Sequence, residues 1–180
     1  MKAVTIGLAL MAAQGEADNI FNLISERLVY MEEVAIYKQQ HNMPIEDLPQ
    51  EIKILKVAHE FAEAEGLYPN DVVSFFSAQI RAAKAIQYRF RGDMMNQVYP
   101  MYSMDLHSEI RPELMHNGMK FNAALAKFLK DGNTFGTEQF AGFTNIIQST
   151  YLSIYDKAAI FNTLSKIRLD ENKGMPNESK

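Results

Sequence analysis

Apolar side chains recur every three or four residues between positions 20 and 38, and two cations interrupt the series. The positions that share this face are Ile20, Ile24, Arg27, Met31, Val34 and Lys38. Steps of three and four residues keep side chains on one side of an α-helix, so the segment predicts a helix that packs this face inward. Eleven residues at about 100° each bring Lys38 to within about 20° of the direction of Arg27. The sequence therefore predicts two charges on the buried face of one helix.

The remaining residues also favour helices. The chain of 180 residues has 9 Gly and 6 Pro, and 47% of it is hydrophobic, which is typical of a globular protein with long helices. Asp18 or Asn19 predicts the first helix start, and Pro44 predicts its end. Further helices are predicted at about 49–66, from 72 to beyond 90, at 108–130, and as two helices within 137–169. We predict an all-α, single-domain bundle of about six helices over residues 16–180.

The N-terminus has the order of a secretory signal. Lys2 precedes an apolar run at residues 3–13, and small residues follow around position 13. Charge, short apolar run and small-residue region are the parts of a signal peptide, and the run is too short to span a bilayer. The alternative is the start of an ordinary buried helix. We predict a signal peptide at residues 1–15 and a periplasmic or secreted protein.

The charge balance and the side-chain inventory exclude several functions. A formal net charge of −4 gives no overall field that would hold a nucleic acid. With no cysteine, thiolate nucleophiles and sulfur-ligated metals are excluded. The histidines form no pair at a helical spacing, so they predict no metal site; they are His41, His59, His107 and His116. The basic residues of the third helix predict a solvated face; they are Arg81, Lys84, Arg89 and Arg91.

A charge on a core-facing stripe needs an anion. Glu60 or Glu63 in the second helix could form internal salt bridges with Arg27 and Lys38, or a ligand or protein partner could bind both cations. Gln87 is a further polar residue on an apolar face, the same side as Ala83 in the third helix. A single buried glutamine is more often a structural hydrogen-bond former than a catalyst.

Four sequence strings point to a family. Residues 27–28 read RL, residues 34–38 read VAIYK, residues 43–47 read MPIED, and residues 79–88 read QIRAAKAIQY. This pattern resembles the secreted, all-helical chorismate mutases, the gamma subclass of the AroQ class. The resemblance covers about residues 19–169 and includes the signal-like leader.

The resemblance implies an isomerase that needs no cofactor. Chorismate is a small dianion that rearranges intramolecularly to prephenate without a nucleophile, metal or redox group. Two cations must hold its carboxylates, and a donor must meet the ether oxygen as its C–O bond breaks. By resemblance, Arg27 clamps a carboxylate, Lys38 faces a carboxylate and the ether oxygen, and Gln87 donates its amide N–H to that oxygen.

Further binding residues are implied in the same way. Arg111 aligns with an arginine from the C-terminal half of the subclass, and Asp47 with a residue that contacts the ring hydroxyl or orients its neighbours. Two positions depart from the family pattern: Gln50 replaces an arginine, with Lys53 one turn along, and Ala83 replaces a small hydroxyl residue. The resemblance implies a site mainly within residues 19–111 of one chain, and a homodimer would therefore hold two separate sites.

Two alternatives remain open from the sequence. An isochorismate pyruvate-lyase uses a similar helical site and a similar pericyclic step on an isomeric substrate. A periplasmic helical bundle could instead bind a small anion or a protein without turnover. Assays of both substrates, and ligand binding without prephenate formation, distinguish these from a chorismate mutase.

Overall fold

The computed structural model describes residues 2–96 and 103–170, in which six α-helices form a bundle. The predicted all-α fold is confirmed. The helices are α1 (Lys2–Gln40), α2 (Leu48–Glu65), α3 (Pro69–Met94), α4 (Arg111–Lys130), α5 (Phe140–Ile146) and α6 (Ile154–Leu164). A π-helical turn at Leu106–Ile110 precedes α4, and a 3₁₀ turn at Thr137–Gln139 precedes α5. Of the helices in these described ranges, none combines the length and the apolarity of a membrane-spanning segment.

The first helix starts earlier than predicted. Neither Asp18 nor Asn19 caps it, because α1 runs unbroken from Lys2 to Gln40. The Asp18 carboxylate instead accepts a hydrogen bond of 2.7 Å from the Gln14 side chain within the same helix. The apolar, alanine-containing segment before Asp18 has a high helix propensity, and its two glycines cost only about 1 kcal/mol each. The expected cap is therefore an interior position.

The other helix ends follow local rules. Asp47 caps α2 and Pro49 occupies its first turn, while Gly66 ends it in the left-handed conformation with φ of 71°. Ser153 caps α6, and its hydroxyl oxygen accepts from the backbone N–H of Asp156. The start predicted at Ser108 for the fourth helix was wrong by one turn, since a π turn occupies Leu106–Ile110 first.

The core lies where α1 and α3 pack against each other and against their neighbours. Helix α1 also contacts α4 and α5, and α3 also contacts α2 and α6. Phe21 on α1 is fully buried and meets Phe143 edge-on at 5.2 Å between ring centroids. From α3, Phe75 stacks on Phe121 of α4 at 5.1 Å. In the C-terminal region Phe143 and Phe161 are buried in this core, whereas Tyr155 is 83% exposed.

Candidate active site

Lys38 ends the apolar stripe of α1 as a buried cation. Its side chain is 5% exposed, and Nζ donates a 2.5 Å hydrogen bond to the backbone oxygen of Ile45. The chain turns back at this point, because the N–H of Met43 donates to the backbone oxygen of Lys38 at 2.7 Å. The turn between α1 and α2 therefore fixes the ammonium group against its own helix.

Asp47 and Arg111 join this end of α1 from two other helices. One oxygen of the Asp47 carboxylate accepts from the backbone N–H of Gln50 at 3.2 Å and so caps α2. The other accepts from Nη2 of Arg111, the first residue of α4, at 2.8 Å. The starts of α2 and α4 are thereby held together beside Lys38.

The π turn that precedes α4 is anchored to α1. Asp105 accepts hydrogen bonds from the backbone N–H groups of His107 and Ser108 at 2.9 and 2.7 Å. The backbone and hydroxyl of Ser108 lower the pKa of Asp105 to about 2, and the buried Tyr37 of α1 also donates to this carboxylate. Burial, followed by the charge of Asp105, raises the pKa of Tyr37. These contacts hold the first residue of α4 close to the end of α1.

Gln87 lies on α3 opposite the stripe of α1. Its side chain is 5% exposed, and Nε2 donates to the backbone oxygen of Ala83 at 3.2 Å and contacts Sδ of Met31 at 3.8 Å. Oε1 of Gln87 is buried and finds no hydrogen-bond donor among the described residues. Since Met31 lies between Arg27 and Lys38 on α1, the amide faces the segment between the two cations.

Arg27 occupies the other end of the stripe. It borders a small cavity together with two amide residues and two aromatic rings, which are Gln79, Asn117, Phe76 and Phe121. Burial lowers the pKa of Arg27, and within residues 2–96 and 103–170 no carboxylate forms an ion pair with it.

The internal salt bridges considered from the sequence do not form. Glu60 lies 3.6 Å from Lys56, and Glu63 lies 3.7 Å from His59, so both carboxylates pair within α2. Both carboxylates are more than half exposed. A protein carboxylate of α2 therefore neutralises neither Arg27 nor Lys38.

The two departures from the family pattern have different surroundings. Gln50 and Ala83 are half-buried, on α2 and α3 respectively. Lys53, the cation one turn after Gln50, is exposed. All four histidines are exposed, although His107 contacts Arg111 at 3.2 Å.

Arg91 corrects the sequence-based interpretation of the basic residues on α3. It is half-buried rather than solvated, its Nε is buried, and its Nη2 lies 3.4 Å from the backbone oxygen of Met43. Lys84 is also half-buried and pairs with Glu51 at 3.1 Å. Arg91 follows Gln87 by four residues, so the helical spacing could have identified it.

The charges around Lys38 come from every neighbouring element. Burial lowers the pKa of Lys38 most, and the positive charges of Arg111 and Arg91 lower it further. The carboxylates of Asp47 and Glu46 act in the opposite direction without cancelling the decrease. A hydrogen bond from the Tyr88 hydroxyl engages the Glu46 carboxylate and lowers its pKa. The surroundings of Lys38 thus favour an added negative charge.

Comparison with known proteins places this arrangement in a family. Residues 18–88 match the family model described as chorismate mutase type II. The chain is 37% identical over 147 residues to the secreted chorismate mutase of Yersinia pestis, covering 82% of this chain and 79% of the relative. The chain belongs to the chorismate mutase family. The monofunctional chorismate mutase of Enterobacter agglomerans is 31% identical over 150 residues, covering 83% of this chain and 82% of that protein.

Solved chorismate mutase structures share the fold. The crystal structure of the secreted chorismate mutase from Yersinia pestis superposes with a TM-score of 0.75 at 36% identity, covering 83% of this chain and 97% of that one. A chorismate mutase from Burkholderia thailandensis gives 0.66 at 27% identity, covering 83% of this chain and 97% of the other. The family model for chorismate mutases includes Arg27, Lys38 and Gln87 but ends before Arg111. The family and fold predictions are therefore confirmed.

Proposed function

We propose that this chain rearranges chorismate to prephenate in the site between α1, α3 and the starts of α2 and α4. The observation that carries the proposal is the buried amide of Gln87, which faces the segment of α1 between the half-buried Arg27 and the buried Lys38. Neither Arg27 nor Lys38 forms an ion pair with a carboxylate among the described residues. A dianion that meets both cations would offset the cost of burying them.

In the proposed mechanism the site acts by positioning and by electrostatics. Arg27 binds one carboxylate of chorismate through its planar guanidinium, and Lys38 binds a carboxylate and the ether oxygen. One N–H of Gln87 bonds Ala83 and the other meets only the weak acceptor Sδ of Met31, and we assign this second N–H to the ether oxygen when substrate binds. The donors stand where negative charge develops as the C–O bond breaks, so they stabilise the transition state more than the substrate.

The remaining residues of the proposed site bind or orient the substrate. Asp47 pairs with Arg111 at 2.8 Å. We propose that this pair orients the Arg111 guanidinium towards a carboxylate of chorismate and the Asp47 carboxylate towards the ring hydroxyl of chorismate. Gln50 and Ala83 line the proposed site as half-buried neighbours. Lys53 is exposed, so its participation requires the side chain to turn from solvent towards the site.

We also propose export and a site within one chain. The proposed signal peptide is residues 1–15, and residues 16–180 form the mature single domain, which acts in the periplasm or outside the cell without nucleic acid or membrane partners. The relative from Yersinia pestis that is named as secreted supports export. In a homodimer, each protomer would carry its own site, since α1, α3 and Arg111 come together within one chain.

The test is loss of chorismate absorbance on addition of the purified protein, with prephenate identified as the product. Isochorismate is assayed in parallel, with pyruvate as the signal for a lyase. We expect prephenate from chorismate at a rate that vanishes on heat denaturation. Pyruvate from isochorismate with no prephenate would favour the lyase, and binding of chorismate without conversion would show a non-catalytic binding protein.

A further inference from the structure

Arg91 lies beside the proposed site without any role assigned to it so far. It follows Gln87 by one turn on the same face of α3. Its Nη2 is 3.4 Å from the backbone oxygen of Met43, whose N–H in turn donates to the backbone of Lys38. The guanidinium therefore reaches the turn that fixes Lys38, from the helix that carries Gln87.

The buried part of this guanidinium is unsatisfied by protein. Nε of Arg91 is buried and has no acceptor among the described residues, and the contact to Met43 is at the long limit of a hydrogen bond. Arg89, two residues earlier on the same helix, is exposed and bonds both Asp156 and the backbone of Tyr151. A buried donor without an acceptor is costly and is rare outside functional sites. The contrast within one helix indicates that Arg91 is placed for a ligand.

The nearby carboxylates are already engaged. Asp47 pairs with Arg111 at 2.8 Å, and Glu46 accepts from the hydroxyl of Tyr88. Three cations at this end of the bundle, Lys38, Arg91 and Arg111, thus face two occupied carboxylates. These three cations exceed the two carboxylates by one charge, and Arg27 at the other end of the stripe adds a second, which matches a ligand with two carboxylates.

We propose that Arg91 is a substrate-binding residue that contacts a carboxylate of a small dicarboxylate ligand beside Lys38. This inference rests on the proposed function, because it places the ligand in the same site. Arg91 would then supply, from α3, a cation that neither Gln50 nor the exposed Lys53 provides from α2. The loss of Arg91 should mainly weaken ligand binding, because Arg91 lies one turn beyond Gln87 and so farther from the centre of the α1 stripe.

The experiment compares full-length Arg91→Met and Arg91→Lys with a control on the same helix. Arg81 is exposed on α3, so Arg81→Met removes an equal charge from the surface. We measure kcat and KM for chorismate, the Kd of prephenate by calorimetry, and the thermal midpoint of each protein. Arg91→Met should raise KM and Kd about tenfold or more, as expected for a lost charge-assisted hydrogen bond, with a smaller change in kcat. Arg91→Lys should stay within a few-fold of wild type, and Arg81→Met should match wild type.

The pH dependence of kcat/KM shows whether Arg91 acts in the ligand site or only supports the fold. Arg91 lowers the pKa of Lys38, as Arg111 does, while Asp47 and Glu46 raise it. Removing Arg91 therefore raises that pKa, and the alkaline decline of kcat/KM should move to higher pH in Arg91→Met. An unchanged KM and Kd in Arg91→Met overturns the inference, as does equal impairment of both Arg91 variants with a lowered thermal midpoint.

Failure of the proposed function and failure of the role of Arg91 give different results. If wild type binds prephenate but does not convert chorismate, the proposed function fails, and the Kd of Arg91→Met still decides the role of Arg91. If wild type converts chorismate and Arg91→Met is indistinguishable from it, the role of Arg91 fails alone. A wild-type protein that neither binds prephenate nor converts chorismate overturns both.

Discussion

The two ends of the α1 stripe each hold a cation, and the surroundings of these two cations differ. At one end, Lys38 donates to the backbone of Ile45 and lies near the Asp47–Arg111 pair. At the other end, Arg27 borders aromatic and amide groups and has no ion pair among the described residues. Burial lowers the pKa of both side chains. The fold itself thus stabilises one charge, whereas the other depends on what binds to it.

This difference separates the roles of the two cations. A buried charge that the protein leaves unpaired destabilises the folded state, and such a charge is retained where a function needs it. Lys38 has a structural contact as well as a proposed catalytic one. For Arg27, the only contact that we propose is the one with the substrate.

The largest expected effect is on turnover when either charge is removed. Arg27→Met and Lys38→Met keep much of the side-chain volume and delete the cation. Each should reduce kcat/KM for chorismate about a hundredfold or more, because a charge-assisted contact in a site of this kind contributes about 3–4 kcal/mol to transition-state binding. Steady-state kinetics with circular dichroism checks this, and Lys56→Met, at an exposed position, is the control. Near-wild-type kinetics in a folded variant would mean that the site is wrongly assigned.

Arg111 tests whether the Lys38 end is completed within one chain. Arg111→Ala should lower kcat/KM about tenfold or more, since it removes a cation and frees Asp47. Mixing this variant with Arg27→Met should recover no activity, because each site lies in one protomer. Recovery on mixing, measured at equal total protein, would show a site shared between subunits.

Gln87 tests the region between the two ends. An amide donates a hydrogen bond at any ordinary pH, so the wild-type rate should be flat from mildly acidic to mildly alkaline conditions. Gln87→Glu donates only when protonated, so its rate should be highest in acid and should decline as the carboxyl ionises. Burial raises the pKa of that new carboxyl and Lys38 lowers it, so the direction alone is predicted. A flat kcat/KM profile in Gln87→Glu would show that this side chain does not face the ether oxygen.

A smaller effect concerns the alkaline limit of the wild type. The pKa of Lys38 is lowered in the free protein, so kcat/KM should decline at a lower pH than an ordinary lysine titrates. A bound dianion favours the protonated ammonium and raises that pKa, so the decline of kcat should lie at higher pH than that of kcat/KM. Coincident declines of the two profiles would argue against contact between Lys38 and the substrate.

The sequence predicts the helices well because each rests on local rules. Pro49 and Gly66 mark α2 at its two ends, and the structure has them in the first turn and at the C-cap. The start of α1 could not be predicted from Asp18, since a capping residue also tolerates a helix interior when its side chain bonds within the helix. The π turn before α4 depends on the contact of Asp105 with Tyr37, which is distant in sequence.

The candidate site was predictable where polar residues interrupt an apolar face. Lys38 and Gln87 are buried, as their positions on the stripes indicated. Arg91 was missed because four basic residues near one another on α3 suggest a solvated face, and composition hides which one points inward. Its spacing of four residues from Gln87 indicates that the two side chains share one face of α3. The pairing of Asp47 with Arg111 joins residues that only the packing of α4 brings together.

The fold accommodates Lys38 but retains Arg27 for a ligand, and thermal unfolding of the unliganded variants distinguishes these two cations. Arg27→Met should unfold at the wild-type temperature or slightly above it, a gain of about 0–1 kcal/mol, because it removes a half-buried charge that has no ion pair among the described residues. Lys38→Met should unfold at a lower temperature, a loss of about 1 kcal/mol, because the backbone oxygen of Ile45 loses its donor. A loss of stability in Arg27→Met as large as that in Lys38→Met would contradict the account.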